Sequence, residues 1–405
     1  MLNKISSNID FKLEGLRGVC ALTVCYAHLF TFDFFGSKSL PYSSILEKLH
    51  FAHVAVLVFF ILSGYVMGIT YRNTELTIET SKKYLKKRFI RLYPIYILAL
   101  IISFVQIPLD KQGELQIAGN LFFLQGISVQ SPETNVVLWS LSYEVLYYIL
   151  FIPLLKIRRD GLFLIRFMLI LFLITLSINV KVPVLTSLLI GWIFWLTGLF
   201  LAWQTKSSST GQGKSFKTLT SYFFIILTTY TLNTGSFILN LVHLPLINKV
   251  EVGFADYFFW PICTLIIAEV TNRKVQYHRL LKIISFGIPI VHLLTLIYFK
   301  HNLFTNQFWS LGVIFLSLSF IFLVKKTDIH KLGKASSLGK ISYALYVLHF
   351  PIAFLLNNYL GHFFANTTLF LVGTFTWISL TLMLSYTVEI LIQPKFKFFF
   401  AEKTK

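Results

Sequence analysis

Charge is scarce in this chain. Only 13% of its 405 residues are Asp, Glu, Lys or Arg, about half the share found in a soluble domain. Cysteine is scarcer still. Cys20, Cys25 and Cys263 all lie in apolar stretches, with no ligand spacing and no pairing pattern, which excludes a disulfide scaffold and leaves core packing as their plain role. No internal repeat of fixed period is present. A cleavable leader is not expected either, because the first apolar run is long, follows acidic and basic residues together, and lacks a small-residue cleavage site. What the chain has instead is apolar surface. Hydrophobic residues make up 56%, Phe alone occurs 42 times, and the mean hydropathy is +0.71. No water-soluble fold of this size hides so much, so a soluble enzyme and a disordered chain are both excluded. The expected class is an all-α, polytopic membrane helical bundle.

Apolar runs predict spans at about 16–35, 51–69, 89–109, 136–155, 163–179, 184–203, 219–239, 253–269, 281–299, 305–324, 341–361 and 367–391, each long enough to cross about 30 Å of hydrocarbon as a helix. Twelve crossings is the first expectation, and ten follows if one adjacent pair is dropped. The segment 115–127 is too short to count. The formal charge of +19 would suggest nucleic acid on a soluble protein, but here its placement explains it. With the N-terminus in the cytoplasm, the inner segments hold 30 of the Lys and Arg residues and the outer ones 6. That bias predicts both termini inside. Residues 1–394 then form one membrane domain and 395–405 a short basic cytoplasmic tail.

Ionisable groups inside hydrocarbon face the bundle interior, pair, or do chemistry. They are His28 and Asp33, His53, Glu144, Asp256 and Glu269, His292, His349 and Glu389. His28 lies about 18 Å from the inner boundary by helical rise. A buried hydrogen-bond network and proton transfer both explain an imidazole at that depth, since neutral His is cheap to bury and titrates near neutrality. Arg17 opens the same helix, either as an inner anchor or as a cation beside an anionic ligand. The run KKYLKKRFIRLYPIY places Lys87, Arg88 and Arg91 at the inner mouth of the third span. It reads as a positive-inside anchor with an aromatic belt, or as a site for a polyanionic cofactor. FFILSGYVM holds Ser63 and Gly64 among bulky residues, a pattern that lets helices approach closely. WSLSYEVLYY carries Glu144, which must be protonated or paired at its depth. SYALYVLHFP sets Tyr346 and His349 on one helical face beside Pro351, where a kink would open the backbone next to a polar pair.

In their order, LEGLRGVCALTVCYAHLF, FFILSGYVM, KKRFIRLYPIY, LWSLSYEVLYY, SYALYVLHFPI and SYTVEILIQP make the chain similar to the membrane-bound acyltransferase-3 family, whose members O-acetylate cell-surface polysaccharides and carry out related acyl transfers. The likeness runs from residue 13 to about 394. It implies an acetyl-CoA donor from the cytoplasm, a glycan or lipid-linked sugar acceptor, and a multi-pass place in the plasma (inner) membrane, with neither metal nor nucleic acid. It further implies that His28 is catalytic, with Glu144 and His349 orienting it or binding the acceptor, and that Arg17, Lys87, Arg88 and Arg91 handle the acyl donor. Two positions depart from the family pattern. Glu14 stands where an aspartate is usual, and Glu389 and Pro394 are five apart where a compact Glu-x-Pro is usual, which puts a role for Glu389 in doubt. The competing reading is a secondary transporter or exporter of a polar or anionic solute.

Overall fold

The computed structural model describes residues 2–108, 113–155, 161–178, 181–204, 216–244, 250–273, 275, 277–299, 308–324, 335–360 and 367–402. Helices dominate, with an isolated bridge between Gln125 and Val129. The principal helices are α1 (Leu2–Thr31), α2 (Ala52–Thr70), α3 (Ile78–Val105), α4 (Trp139–Leu154), α5 (Gly161–Ile178), α6 (Pro183–Trp203) and α7 (Phe216–Thr231). They continue as α8 (Thr234–Leu241), α9 (Trp260–Val270), α10 (His278–Tyr298), α11 (Trp309–Val324), α12 (Ser342–Leu360) and α13 (Thr367–Tyr386).

All twelve apolar segments anticipated from the sequence fall on helices. Among the described residues, seven helical stretches are long and apolar enough to cross a membrane, and eight if the bent pair α7–α8 is one span. The segment 115–127 holds a helix of 8 residues, Glu114–Leu121. The polar run SSSTGQG, Ser207–Gly213, which reads as a short flexible loop, lies outside the described residues.

The chain divides into two compact units. The first comprises Met1–Leu16, Lys48–Arg72 and Arg159–Ser336, and the second Arg17–Glu47, Asn73–Arg158 and Ser337–Lys405. In the first unit α2 crosses α6 at very short range. A Cβ on Gly64 would lie 1.9 Å from the Trp195 carbonyl oxygen, and one on Gly198 would lie 1.9 Å from that of Ile61. Both positions therefore exclude any side chain, and the two backbones touch. Beside Gly64, Ser63 accepts a hydrogen bond from Trp195 Nε1 at 3.3 Å. This explains the small pair inside FFILSGYVM as a packing device. Helix α5 is peripheral. Of its apolar window 17% is buried, against 78% for α6, and Leu162, Leu169, Ile170 and Leu173 stand exposed. Such a ridge suits lipid and would be untenable in water.

The second unit packs α12 against α13, α3 and the turn Glu133–Leu138. Its polar loop is tied down by side chains. Tyr96 Oη donates to the Asn120 carbonyl at 2.6 Å, Ser142 Oγ to that of Gln125 at 2.6 Å, and Gln125 Nε2 to that of Leu138 at 3.1 Å.

Candidate functional site

Two residues 321 positions apart meet at the centre of the second unit. Helix α1 carries His28 and α12 carries His349, with His28 Nδ1 and His349 Nε2 2.9 Å apart. The rings lie edge to edge in nearly one plane, with 5.2 Å between centroids and an 8° interplanar angle. His349 is fully buried and His28 half-buried. Phe32 and Phe350 each meet the His28 ring edge-on at 5.5 Å.

The partners of His349 fix its hydrogen. Its Nδ1 lies 2.7 Å from the Tyr346 carbonyl oxygen and 3.2 Å from that of Leu345. Carbonyls only accept, so Nδ1 carries the hydrogen, and in a neutral ring Nε2 is then the acceptor. Neutral is the inexpensive form of a fully buried imidazole. Nδ1–H of His28 therefore donates to it, and Nε2 of His28 is the nitrogen without a hydrogen. A general base takes up its proton at such a nitrogen.

Pro351 explains why α12 can hold this arrangement. Proline has no N–H, so the carbonyl four residues earlier, that of Val347, loses its helical donor. Asn135 Nδ2 replaces it at 3.1 Å. Trp377 Nε1 donates to the His349 carbonyl at 2.8 Å, and Gln106 Nε2 to that of Pro351 at 3.1 Å. Three side chains thus bond to backbone carbonyls around Pro351, and each binds α12 to another element. Tyr346, on the face shared with His349, meets Ser140 Oγ through its hydroxyl at 2.8 Å.

Glu144 belongs to a different group. Its carboxylate accepts a short hydrogen bond from Tyr148, one turn along α4. The Tyr148 carbonyl accepts from Tyr84 Oη at 3.0 Å. Arg88 lies over both rings, with Cζ 5.4 Å from the Tyr148 centroid and 6.0 Å from that of Tyr84, within reach of a cation–π attraction. Glu144 is thus grouped with the basic end of α3. Arg88 is half-buried while Lys87 and Arg91 are exposed on the same helix, and the Arg91 carbonyl is held by Gln393 Nε2. Arg17 is half-buried on α1.

Several other expensive residues have structural duties. Glu389 sits in a π-helical turn, Thr387–Ile392, and its Oε2 accepts from the Ala344 N–H at 2.9 Å in the first turn of α12. It therefore caps the helix that carries His349. Asp33 Oδ1 accepts from the Lys38 N–H at 2.7 Å and closes the turn after α1. His53, Asp256, Glu269 and His292 all lie in the first unit, where Glu269 pairs with His278 at 3.2 Å.

Sequence reading did not single out Asn135, Gln106 or Trp377. Only the proline, by removing a donor, hinted that such residues were needed. An apolar cavity of about 260 Å³ adjoins His349, lined among others by Leu22, Cys25, Leu29, Phe370 and Trp377. Among the described residues no group of three or more His, Cys, Asp or Glu is placed to hold a metal ion.

The chain matches one family model and two curated proteins. A family model described as an acyltransferase domain covers residues 10–390. "Protein 2 in picA locus" of Rhizobium radiobacter is 44% identical over 90 residues, 22% of this chain and 40% of that protein. "Acyltransferase MdmB" of Streptomyces mycarofaciens is 28% identical over 152 residues, 34% of this chain and 37% of that protein. The matched regions thus span about two fifths of either curated relative. No solved structure matches. With nearly its whole length matched to one family model, the chain belongs to the acyltransferase-3 family.

Proposed function

We propose that the protein is a membrane O-acyltransferase that moves an acetyl group from cytoplasmic acetyl-CoA to a hydroxyl of a cell-surface or lipid-linked glycan, from the plasma (inner) membrane and with both termini in the cytoplasm. The 2.9 Å contact between His28 and His349 carries the reading, because it directs the hydrogen of His28 to Nδ1 and leaves Nε2 as the basic nitrogen, next to apolar rings. His28 Nε2 takes the proton of the acceptor hydroxyl, and the oxygen attacks the thioester carbonyl. The C–S bond breaks, and the departing thiolate recovers the proton from the same nitrogen. His349 positions His28 and strengthens its hold as the imidazolium forms. The apolar cavity beside His349 suits the methyl end of an acetyl group.

Arg88, Arg91, Lys87 and Arg17 would hold the phosphates of the donor. Clustered cations on one helix favour a polyanion, and Arg matches phosphate as a fork. Glu144 would act indirectly, by fixing Tyr148 beneath Arg88.

The test is transfer of labelled acetyl from acetyl-CoA to membrane glycans. His28→Ala should lower it about 100-fold or more, whereas activity near that of the parent would remove His28 from catalysis. Replacing Arg88 and Arg91 by Gln should raise the acetyl-CoA concentration needed about tenfold. An unchanged donor dependence would sink the phosphate role.

A further inference from the structure

The first unit encloses a second, larger cavity, of about 910 Å³, near the upper end of the range for small-molecule sites. We propose that this cavity is a binding site for an uncharged, polyhydroxylated ligand, a sugar ring or short saccharide. The proposal does not depend on acyl transfer in the second unit.

Its walls mix neutral hydrogen-bonding groups with apolar side chains and aromatic rings. Asn233, Ser236 and Asn240 line one side and Tyr230, Phe259 and Phe308 supply rings. The charged groups are already engaged. Asp256 accepts from His53 Nε2 at 2.9 Å through Oδ1 and from the Gly253 N–H at 2.8 Å through Oδ2. The Lys48 ammonium lies 5.4 Å from the centroid of the Phe308 ring. A cation would call for several carboxylates and an anion for an Arg or Lys cluster. A neutral polyol calls for what is there: amides, hydroxyls, a fixed carboxylate, and ring faces for its C–H surface.

The wall is also broken where a ligand would use it. Helices α7 and α8 meet at a 53° bend, with Asn233 in the left-handed region at φ 52°. Non-helical backbone at membrane depth persists where it lines a polar cavity. At this break the threonines diverge. Thr228 and Thr229 bond back to the carbonyls of Phe224 and Ile225 at 2.8 and 2.9 Å, and Thr234 meets His292 Nδ1 at 3.1 Å. Thr231 lines the cavity and is 5% exposed, yet among the described residues its hydroxyl has no hydrogen-bond partner. A buried hydroxyl is rarely left so, and a ligand hydroxyl would satisfy it once the wall eases aside to uncover the oxygen.

The experiment is calorimetric titration of the purified full chain in detergent with the methyl glycosides of glucose, galactose, rhamnose and N-acetylglucosamine. Glucuronic acid and glucosamine serve as the anionic and cationic probes. At least one neutral glycoside should bind saturably and better than both charged probes. Asp256→Asn should weaken it about tenfold. Thr231→Val, which keeps shape and removes one hydroxyl, should weaken it about three- to tenfold with an unchanged melting temperature, so a folding defect in Asp256→Asn leaves the test intact. Failure of every neutral probe to bind would overturn the proposal. So would preference for a charged probe, or unchanged affinity in Thr231→Val.

Discussion

Each unit sets a half-buried histidine against a partner, and the partners differ. In the second unit His28 faces another imidazole, itself held by two backbone carbonyls. In the first, His53 faces the Asp256 carboxylate. A carboxylate partner makes a good ion pair with a protonated ring, whereas two imidazoles keep contact only while one stays neutral. The first arrangement suits holding a ligand in place, and the second suits a proton that must come and go. The supports differ too. The first unit rests on glycines that bring α2 and α6 into backbone contact. The second rests on side chains that bond to carbonyls around Pro351.

The contrast is broken most severely at the glycines. Gly198→Val puts a side chain 1.9 Å from the Ile61 carbonyl oxygen, and backbone cannot step aside as a flexible side chain can. Loss of folded protein in detergent is expected, measured as the monodisperse fraction by size-exclusion chromatography. Next comes the imidazole partner. His349→Leu strips the acceptor from His28 Nδ1 and should lower acetyl transfer about 100-fold, chiefly in kcat. His349→Gln offers an amide oxygen at a similar reach and should recover about tenfold of that loss. Equal activities of the two variants would show that His349 only fills space.

A smaller effect tests the replaced donor at Pro351. Asn135→Leu removes the donor to the Val347 carbonyl, at a cost of about 1–3 kcal/mol in stability. In a Pro351→Ala background the helix regains its own N–H, so the same change should cost well under 1 kcal/mol. Additive costs would contradict this account of Asn135.

The smallest effect belongs to Glu251 in the first unit. Burial raises its pKa from the ordinary 4.5 to about 7, opposed by nearby His53. The folded protein therefore keeps a proton that the unfolded chain has released between those values, so stability falls as pH rises through that window. Glu251→Gln should flatten the fall and raise stability by about 1 kcal/mol at pH 8, read as a melting-temperature difference that vanishes near pH 4. A difference that persists there would point to packing.

The helices were legible because hydropathy marks apolar runs residue by residue, though among the described residues seven or eight, rather than ten or twelve, are long and apolar enough to span, and Gly64 because a small residue amid Phe and Leu has few other reasons to be there. His28 and His349 each stood out as polar groups in hydrocarbon. Their meeting did not, since no period links positions 321 apart. Asn135 was hidden for another reason. It lies in a short turn, and its duty is set by a proline on a different helix. Glu389 looked misplaced against the spacing usual in the family, yet its carboxylate reaches the first turn of α12. Helix capping is a local geometric duty that spacing to a later proline does not measure.

The fixed hydrogen on His349 has a consequence for membrane energetics. A ring whose only proton points at two carbonyls cannot pass one along, so the paired imidazoles are a dead end for protons. In the mechanism proposed above, whatever His28 removes from one substrate must go back out through the same atom. Turnover would then move no net charge across the bilayer and should proceed equally well in sealed vesicles with or without a voltage.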